Sequence, residues 1–270
     1  MFENADLTYQ VRGLIFQTRN ELKAGWPEQT YHDILVHLLQ QNRLAVRSKP
    51  HYTLTHRNSE IHTFEPDIIV ENSLILELKI LITKSQFAGE HFFQLINYLK
   101  SFQIPLGYLV NFAPARVRTK RVIWHEPPVK VVEQYDDIKS LLGNADRQIL
   151  RQIRQIVLKI ANQYGLGYHG AIYQRILAVE FEHNGLSCQT PVEIPVFWQD
   201  KVVGRQNITQ LLVANQYLVH VRGLIPKPVT YDFISTKSYL ENLGLQFGLI
   251  VNFSRRELQI YGLTTLSNHK

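Results

Sequence analysis

The sequence predicts an α/β chain built from two tandem copies of one unit, and three observations carry that prediction. Apolar residues at helical spacing alternate along the chain with short runs of period-2 alternation. The order helix, helix, hairpin, helix, strand occurs twice. The two copies also share residues: PLGYLVNF (Pro105 to Phe112) recurs as QFGLIVNF (Gln246 to Phe253), and Gly25 and Tyr31 correspond to Gly167 and Tyr173 at an offset of 142.

In the first copy, residues 5 to 23 read as a helix with Leu7, Val11, Leu14 and Ile15 on one face. Pro27 opens a second helix running to about Gln41, with Tyr31, Ile34, Leu35, Leu38 and Leu39 as its stripe and Glu28 projecting from its start. A strand follows near His51 to His56. The stretch FEPDIIVENSLILELK (Phe64 to Lys79) then reads as strands Thr63 to Val70 and Leu74 to Ile80 around the turn Glu71-Asn72-Ser73. If Val70 faces Leu74, Asp67 lies opposite Glu77 and Glu65 opposite Lys79. Pro66, Ile68, Val70, Leu74, Leu76 and Leu78 form one apolar face; Glu65, Asp67, Glu77 and Lys79 share the other with Ile69 and Ile75. A third helix, about Ser85 to Phe102, buries Ala88, Phe92, Leu95, Leu99 and Phe102, and His91, Gln94 and Tyr98 share an adjoining face. Strands Leu106 to Phe112 and Arg121 to His125 close the unit.

The second copy follows the same order: helix Ala145 to Gln163, a helix from about Tyr168, strands Val192 to Trp198, Val202 to Val213 and Tyr217 to Val221, and a helix ending near Leu243. The expected boundary puts one domain at 1 to 140 and its copy at 141 to 270.

Opposed carboxylates across a strand pair stand about 4.5–5.5 Å apart at Cβ and repel unless a proton or cation intervenes. Oxygen-only ligands favour a hard divalent ion, with Lys79 placed to orient a water or balance charge on a phosphate. The bland alternative is a solvated hairpin face of simple ion pairs. The copy argues against it, because Glu28 becomes Gly170, Asp67 becomes Gln210, Glu77 becomes His220 and Lys79 becomes Arg222, while the turn Ala214-Asn215-Gln216 keeps the hairpin. A face serving solubility alone would not diverge mainly at those positions.

These residues resemble a known family. Gly25-Trp26-Pro27-Glu28-Gln29-Thr30-Tyr31 matches a GxxExxY signature, Pro66-Asp67 followed by Glu77-Leu78-Lys79 matches the PD-(D/E)XK nuclease core, and Gln94 to Tyr98 resembles the QxxxY motif of RecB-like members. The chain is thus similar to a tandem GxxExxY protein of the PD-(D/E)XK superfamily. The resemblance implies two restriction-endonuclease-like domains, each a central mixed β-sheet flanked by helices, and a site that hydrolyses phosphodiester bonds with Mg²⁺ or Mn²⁺. It implies Asp67 and Glu77 as metal ligands, Glu28 reaching toward the metal or its water shell, Lys79 orienting the attacking water, and Gln94 and Tyr98 supporting the site or touching nucleic acid. Copy two departs at four of these positions and has Ser235 where Gln94 would fall, so it is expected to be inactive.

Composition sets the remaining limits. The 270 residues are 45% hydrophobic and 19% charged with a net charge of +6, which fits a globular chain with a polyanionic partner. Arg116, Arg118, Lys120 and Arg121 are the stronger phosphate-contact candidates; the row Arg147, Arg151 and Arg154 reads first as a solvated helix face. Cys188 has no disulfide partner, and the histidines lack compact zinc spacing; most read as surface or packing residues, with His91 the one of interest beside Gln94. No leader pattern or membrane-length apolar run is visible, so a cytoplasmic setting is expected. The expected function is a metal-dependent nuclease, on DNA ahead of RNA, in an intramolecular pseudo-dimer whose second copy is a structural or nucleic-acid-binding partner. The rival reading is a non-catalytic nucleic-acid-binding or assembly scaffold.

Overall fold

The computed structural model describes residues 5–82 and 86–266. The chain separates into two compact units, one of residues 1–54 and 62–125, the other of residues 55–61 and 126–270.

The chain opens with α1 (Ala5–Leu22) and α2 (Glu28–Gln41), followed by β1 (Val46–Ser48), β2 (Tyr52–His56), β3 (Ser59–Phe64), β4 (Ile68–Val70) and β5 (Leu74–Lys79), all in the first unit except the β2–β3 tip at residues 55–61. Helix α3 (Gly89–Ser101) then leads to β6 (Leu106–Asn111) and β7 (Arg118–Ile123). Five strands form one sheet in the order β1-β4-β5-β6-β7, parallel only between β5 and β6. Ile68, Val70, Leu74, Leu76 and Leu78 face the apolar stripe of α1 and α2, where Val11, Ile15, Leu35 and Leu39 are buried. On the opposite face α3 packs so closely that a Cβ at Gly107 would stand 2.8 Å from Leu95, which is why the β6 start takes glycine.

The second unit contains β8 (Lys130–Gln134), α4 (Asn144–Tyr164), α5 (Gly170–His183), β9 (Cys188–Gln189), β10 (Val192–Trp198), β11 (Lys201–Ile208), β12 (Leu211–Val213) and β13 (Tyr217–Gly223). It ends with α6 (Thr230–Leu243), β14 (Phe247–Phe253) and β15 (Glu257–Thr264). Its sheet order is β8-β15-β14-β13-β12-β9, the first unit's pattern plus one strand.

The repeat extends to individual side chains. Buried Val11, Leu14, Ile15 and Thr18 of α1 answer to buried Ile153, Ile156, Val157 and Ile160 of α4, at one offset of 142. In each unit a tyrosine hydroxyl donates to the carbonyl eight residues earlier, Tyr31 to Lys23 at 2.7 Å and Tyr173 to Gly165 at 2.6 Å. Each tyrosine ring also stacks on the phenylalanine ending the NF run, Tyr31 on Phe112 and Tyr173 on Phe253, with interplanar angles of 5°. Gly25 and Gly167, at φ 104° and 111°, turn the chain between these groups in a conformation that penalises any Cβ.

Several sequence expectations change. The single strand Thr63 to Val70 is two strands, because the chain leaves β3 at Phe64 and re-enters the sheet at Ile68. Pro66 has no N–H for a ladder, and the Asp67 side chain instead accepts the Leu78 N–H at 2.7 Å. Glu65 therefore does not oppose Lys79; it pairs with His51 at 3.0 Å. Ile69 and Ile75 are buried, since α3 covers the face expected to be polar. The third helix begins at Gly89, and Ser85 lies outside the described residues. Val202 to Val213 breaks into β11 and β12 at Thr209-Gln210. Strand β8 pairs with β15, so residues 126–134 go with the second unit, upstream of the expected boundary near 140. No helix among the described residues is long and apolar enough to cross a membrane.

Candidate active site

Strands β4 and β5 pair antiparallel from Val70↔Leu74 to Ile68↔Leu76, closed by a turn with Glu71 and Asn72 in the left-handed region. Asp67 is the next residue beyond the ladder, across from Glu77. Its carboxylate caps the Leu78 amide, and its carbonyl accepts the Lys49 N–H at 2.9 Å. Burial raises the Asp67 pKa, opposed by the Leu78 hydrogen bond and by Lys79.

Glu77 points to the α3 side of the sheet and is buried. Its Oε1 accepts from Lys79 Nζ at 2.6 Å; its Oε2 is buried with no hydrogen-bond partner among the described residues. Burial, then the neighbouring charge of Asp67, pushes its carboxyl up to about 8. Burial alone would lower the Lys79 ammonium, but Glu77 outweighs it and holds the lysine above its ordinary value.

Glu28 is the first residue of α2, directly after the extended Pro27. Burial raises its pKa, Lys79 opposes that rise and Asp67 adds to it, so its charge is felt by the same group. Gln94 and Tyr98 form an (i, i+4) pair on α3, the amide donating to the hydroxyl at 2.9 Å. Burial and then the charge of Glu77 raise the Tyr98 phenol, which ties that pair to the carboxylates.

Register divides the basic cluster. Lys79 aligns with Asn111 and Arg118, and Glu77 with Leu109 and Lys120, so Arg118 and Lys120 share the carboxylate face of the sheet. Arg121, across from Tyr108, takes the other face, and Arg116 sits in the β6–β7 loop. Arg154 is committed to Glu133 by two hydrogen bonds of 2.7 and 2.9 Å and is withdrawn from the phosphate-contact row. His91 caps α3, its Nδ1 accepting the Ala88 N–H at 3.0 Å.

Two neighbours of the site escaped sequence reasoning. His32, one turn after Glu28, is buried, with Nε2 3.1 Å from Ser48 Oγ and 3.3 Å from the Asp67 carbonyl. The Lys49 N–H donates to the same carbonyl, and its charge opposes the rise in pKa that burial gives both Glu28 and Asp67. The signal for His32 was its (i, i+4) spacing from Glu28 on one helix face; nothing local in the sequence pointed to Lys49.

The carboxylate donors are hard oxygens, one of them buried without a partner among the described residues, and both resist ionising, Asp67 through burial and Glu77 through burial and the charge of Asp67. That is a donor set suited to a divalent cation. The fit is incomplete, because among the described residues no three His, Cys, Asp or Glu side chains are grouped closely enough to hold a metal.

The second unit fills the same space differently. Gln210 is buried one step beyond the β12–β13 ladder, and His220 Nδ1 lies 3.0 Å from Thr236 Oγ1. Arg222 Nε stands 3.5 Å from Asp232 Oδ1. At the position of Glu28, a Cβ on Gly170 would come within 2.9 Å of the Gly223 nitrogen, so the helix start and the strand end meet backbone to backbone.

A family model described as the PD-(D/E)XK nuclease superfamily matches residues 5–122 and 147–261. Among curated protein sequences, none matches this chain. Among solved structures, the crystal structure of SSO0001 is similar at 20% identity and a TM-score of 0.29. That similarity covers 42% of this chain and 65% of that chain, less than two thirds of its length. The two segments of the family match together take in both repeats and most of the sequence, and on that footing the chain belongs to the PD-(D/E)XK nuclease superfamily.

Proposed function

We propose that the first repeat is a metal-dependent nuclease that hydrolyses phosphodiester bonds, with DNA as the first substrate class to test. The second repeat, from about 141 to 270, is then a catalytically silent structural or nucleic-acid-binding partner. The observation that carries this reading is Glu77: a carboxylate buried with one oxygen unpartnered, beside a second carboxylate and an ion-paired lysine. Leaving such an oxygen without a partner costs about 1–3 kcal/mol or more, which favours a ligand that the site is built to receive.

Mg²⁺ or Mn²⁺, when bound by Asp67 and Glu77 with Glu28 in reach, would supply the charge that acidifies a water and neutralises phosphoryl oxygens. The chain's own residues do the rest. The Leu78 amide and the Lys49 amide hold Asp67 at both its carboxylate and its carbonyl. Lys79 keeps a positive charge beside Glu77, suited to orienting the attacking water or balancing the anionic phosphate. Glu28 offers a carboxylate, raised by burial, that can accept a hydrogen bond from a water. The Gln94–Tyr98 pair supports the site or meets the nucleic acid, and Arg118 and Lys120 offer the sheet face to its phosphates.

The test is cleavage of linear, single-stranded and branched DNA and of RNA, with Mg²⁺ or Mn²⁺ and with chelator. Wild-type cutting that vanishes in Asp67→Ala and Glu77→Ala supports the proposal; equal cutting by those variants traces the activity to a contaminant. The second reading, a non-catalytic nucleic-acid-binding or assembly scaffold, is favoured by the lack of a three-ligand group among the described residues. Metal-independent binding without cutting would select it.

A further inference from the structure

The arginines of α4 have unequal surroundings. Arg154 is held by Glu133 through two hydrogen bonds, whereas the exposed side chains of Arg147 and Arg151 have no hydrogen bond or ion pair among the described residues. Both line a cavity of about 650 Å³ within the second unit, formed by the first half of α4 and the segment 135–142 that precedes it. Lys139 adds a third cation to its wall, and Leu142, Leu150 and Tyr135 supply apolar surface. Among the described residues that line it there is no carboxylate.

The acidic residues nearby in sequence are engaged elsewhere. Glu133 is balanced by Arg154 and accepts the Tyr135 hydroxyl at 3.1 Å, and Asp146 accepts the Gly143 N–H at 3.0 Å. Asp136 and Asp137 line a separate, smaller cavity with Tyr261. The Asp136–Lys139 pair is 3.9 Å apart with both side chains exposed, too weak a contact to hold the lysine. Three cations therefore surround one hollow with their charge uncompensated.

The repeat shows that this charge is a feature of the second copy. At the positions of Arg147, Leu150 and Arg151 the first unit has Ala5, Thr8 and Tyr9, at the offset of 142. The copy that lacks the carboxylates is the copy that carries these cations. A solvated helix face would account for exposed arginines, but not for a hollow with apolar side chains on its floor and cations at its rim.

We propose that this cleft binds a single nucleic-acid strand, with backbone phosphates on Arg147, Arg151 and Lys139 and a base against Leu142, Leu150 and Tyr135. The proposal rests on the reading of the second repeat as a nucleic-acid-binding partner and gives that role a location. Arginines four residues apart on a helix have Cβ atoms about 5–6 Å apart, and each guanidinium offers a planar fork to phosphate oxygens. Size favours a strand over a duplex, since hollows of about 300–1,000 Å³ take ligands of small-molecule size. Apolar surface points the same way, because bases are free to leave their stack and pack on side chains in single strands. The Tyr135 hydroxyl is occupied by Glu133, which leaves the ring for such a contact.

The experiment is fluorescence anisotropy of a labelled single-stranded oligothymidylate titrated with the full chain, in chelator, over a series of salt concentrations. Wild type is expected to bind with an affinity that falls as salt rises. Arg147→Ala combined with Arg151→Ala keeps good helix formers on an exposed face and is expected to melt like wild type. It is expected to bind about tenfold or more weakly, with a log–log salt slope shallower by about 1.4, at about 0.7 for each phosphate contact removed. Lys237→Ala with Arg255→Ala removes the same charge from exposed positions outside the cleft and is expected to leave affinity within about twofold. An Arg147/Arg151 variant that binds no more weakly than this control overturns the cleft and leaves the nucleic-acid role of the second repeat standing. A wild type that binds no strand overturns both. Duplex bound more tightly than the strand, or thymidine monophosphate bound as tightly, also overturns the proposal.

Discussion

The first unit places Glu28 at the start of α2 where the second places Gly170, and the difference separates a group of buried and half-buried carboxylates from a closed seam. In the second unit the α5 start and the β13 end touch through backbone atoms, because neither Gly170 nor Gly223 has a side chain to hold them apart. The first unit has Glu28 and Ile80 at those positions, and Asp67, Glu77 and Lys79 beside them. Divergence of the second copy therefore involves two changes, loss of the charged groups and loss of the room between helix and strand. Restoring side-chain identities alone would not rebuild the site there.

The largest expected contrast is in activity. Asp67→Ala or Glu77→Ala should lower phosphodiester cleavage by about 10²–10³-fold or more, while Gln210→Ala and His220→Ala should leave it within about twofold. Single-turnover cleavage of a labelled duplex measures both, and a large loss from the second pair would break the assignment of roles to the two copies.

Next comes stability, where the second unit should prove the more sensitive. Glu180→Ala strands His56, Arg57 and Lys159 around a buried gap and should cost about 3–5 kcal/mol in chemical denaturation. Leu38, its counterpart on α2, is an apolar core residue whose truncation costs about 2–5 kcal/mol by cavity formation alone and should show no salt dependence.

Gly170→Glu should cost about 1–3 kcal/mol, because its Cβ would meet the Arg222 and Gly223 backbone, which cannot swing aside as a side chain would. The reciprocal Glu28→Gly should leave the melting temperature within a few degrees and appear instead as lost cleavage. An unchanged Gly170→Glu protein would argue that the seam is loose.

The smallest effect is pH dependence, and its sign differs between the units. With chelator present, Glu77 rises from 4.5 to about 8 on folding, so its contribution is complete below about 4.5 and is lost as pH climbs through about 8. Burial lowers His220 from 6.5, so its contribution is complete above 6.5 and is lost as pH falls. Melting curves across this range should show Glu77→Gln flattening the alkaline decline and His220→Gln the acidic one. Added Mn²⁺ should stabilise the protein most at the alkaline end.

Much of this organisation was legible in the sequence because it is written in local pattern. The repeat follows from an offset, the β4–β5 register from a turn and alternation, and the placement of Asp67 across from Glu77 from both. What was not legible depends on partners far away in the chain. Thr63 to Val70 reads as one strand until the Leu78 amide is seen to capture Asp67. Ile69 and Ile75 look stranded on a polar face until α3 covers it. Arg154 reads as a solvated cation until β8 brings Glu133 alongside, and Lys49 joins the site through its backbone contact with Asp67 and the charge it sets near Glu28 and Asp67. Pattern reports which face a residue takes, and tertiary pairing decides what that face meets.

The stacked ring pairs, Tyr31 on Phe112 and Tyr173 on Phe253, have a consequence for how such a chain can change over time. Each locks the entry of a helix to the end of a central strand, and neither ring belongs to the carboxylate group. The element that joins helix to strand is thus independent of the carboxylates, so that one copy can differ at the positions of Glu28, Asp67, Glu77 and Lys79 and keep the same fold.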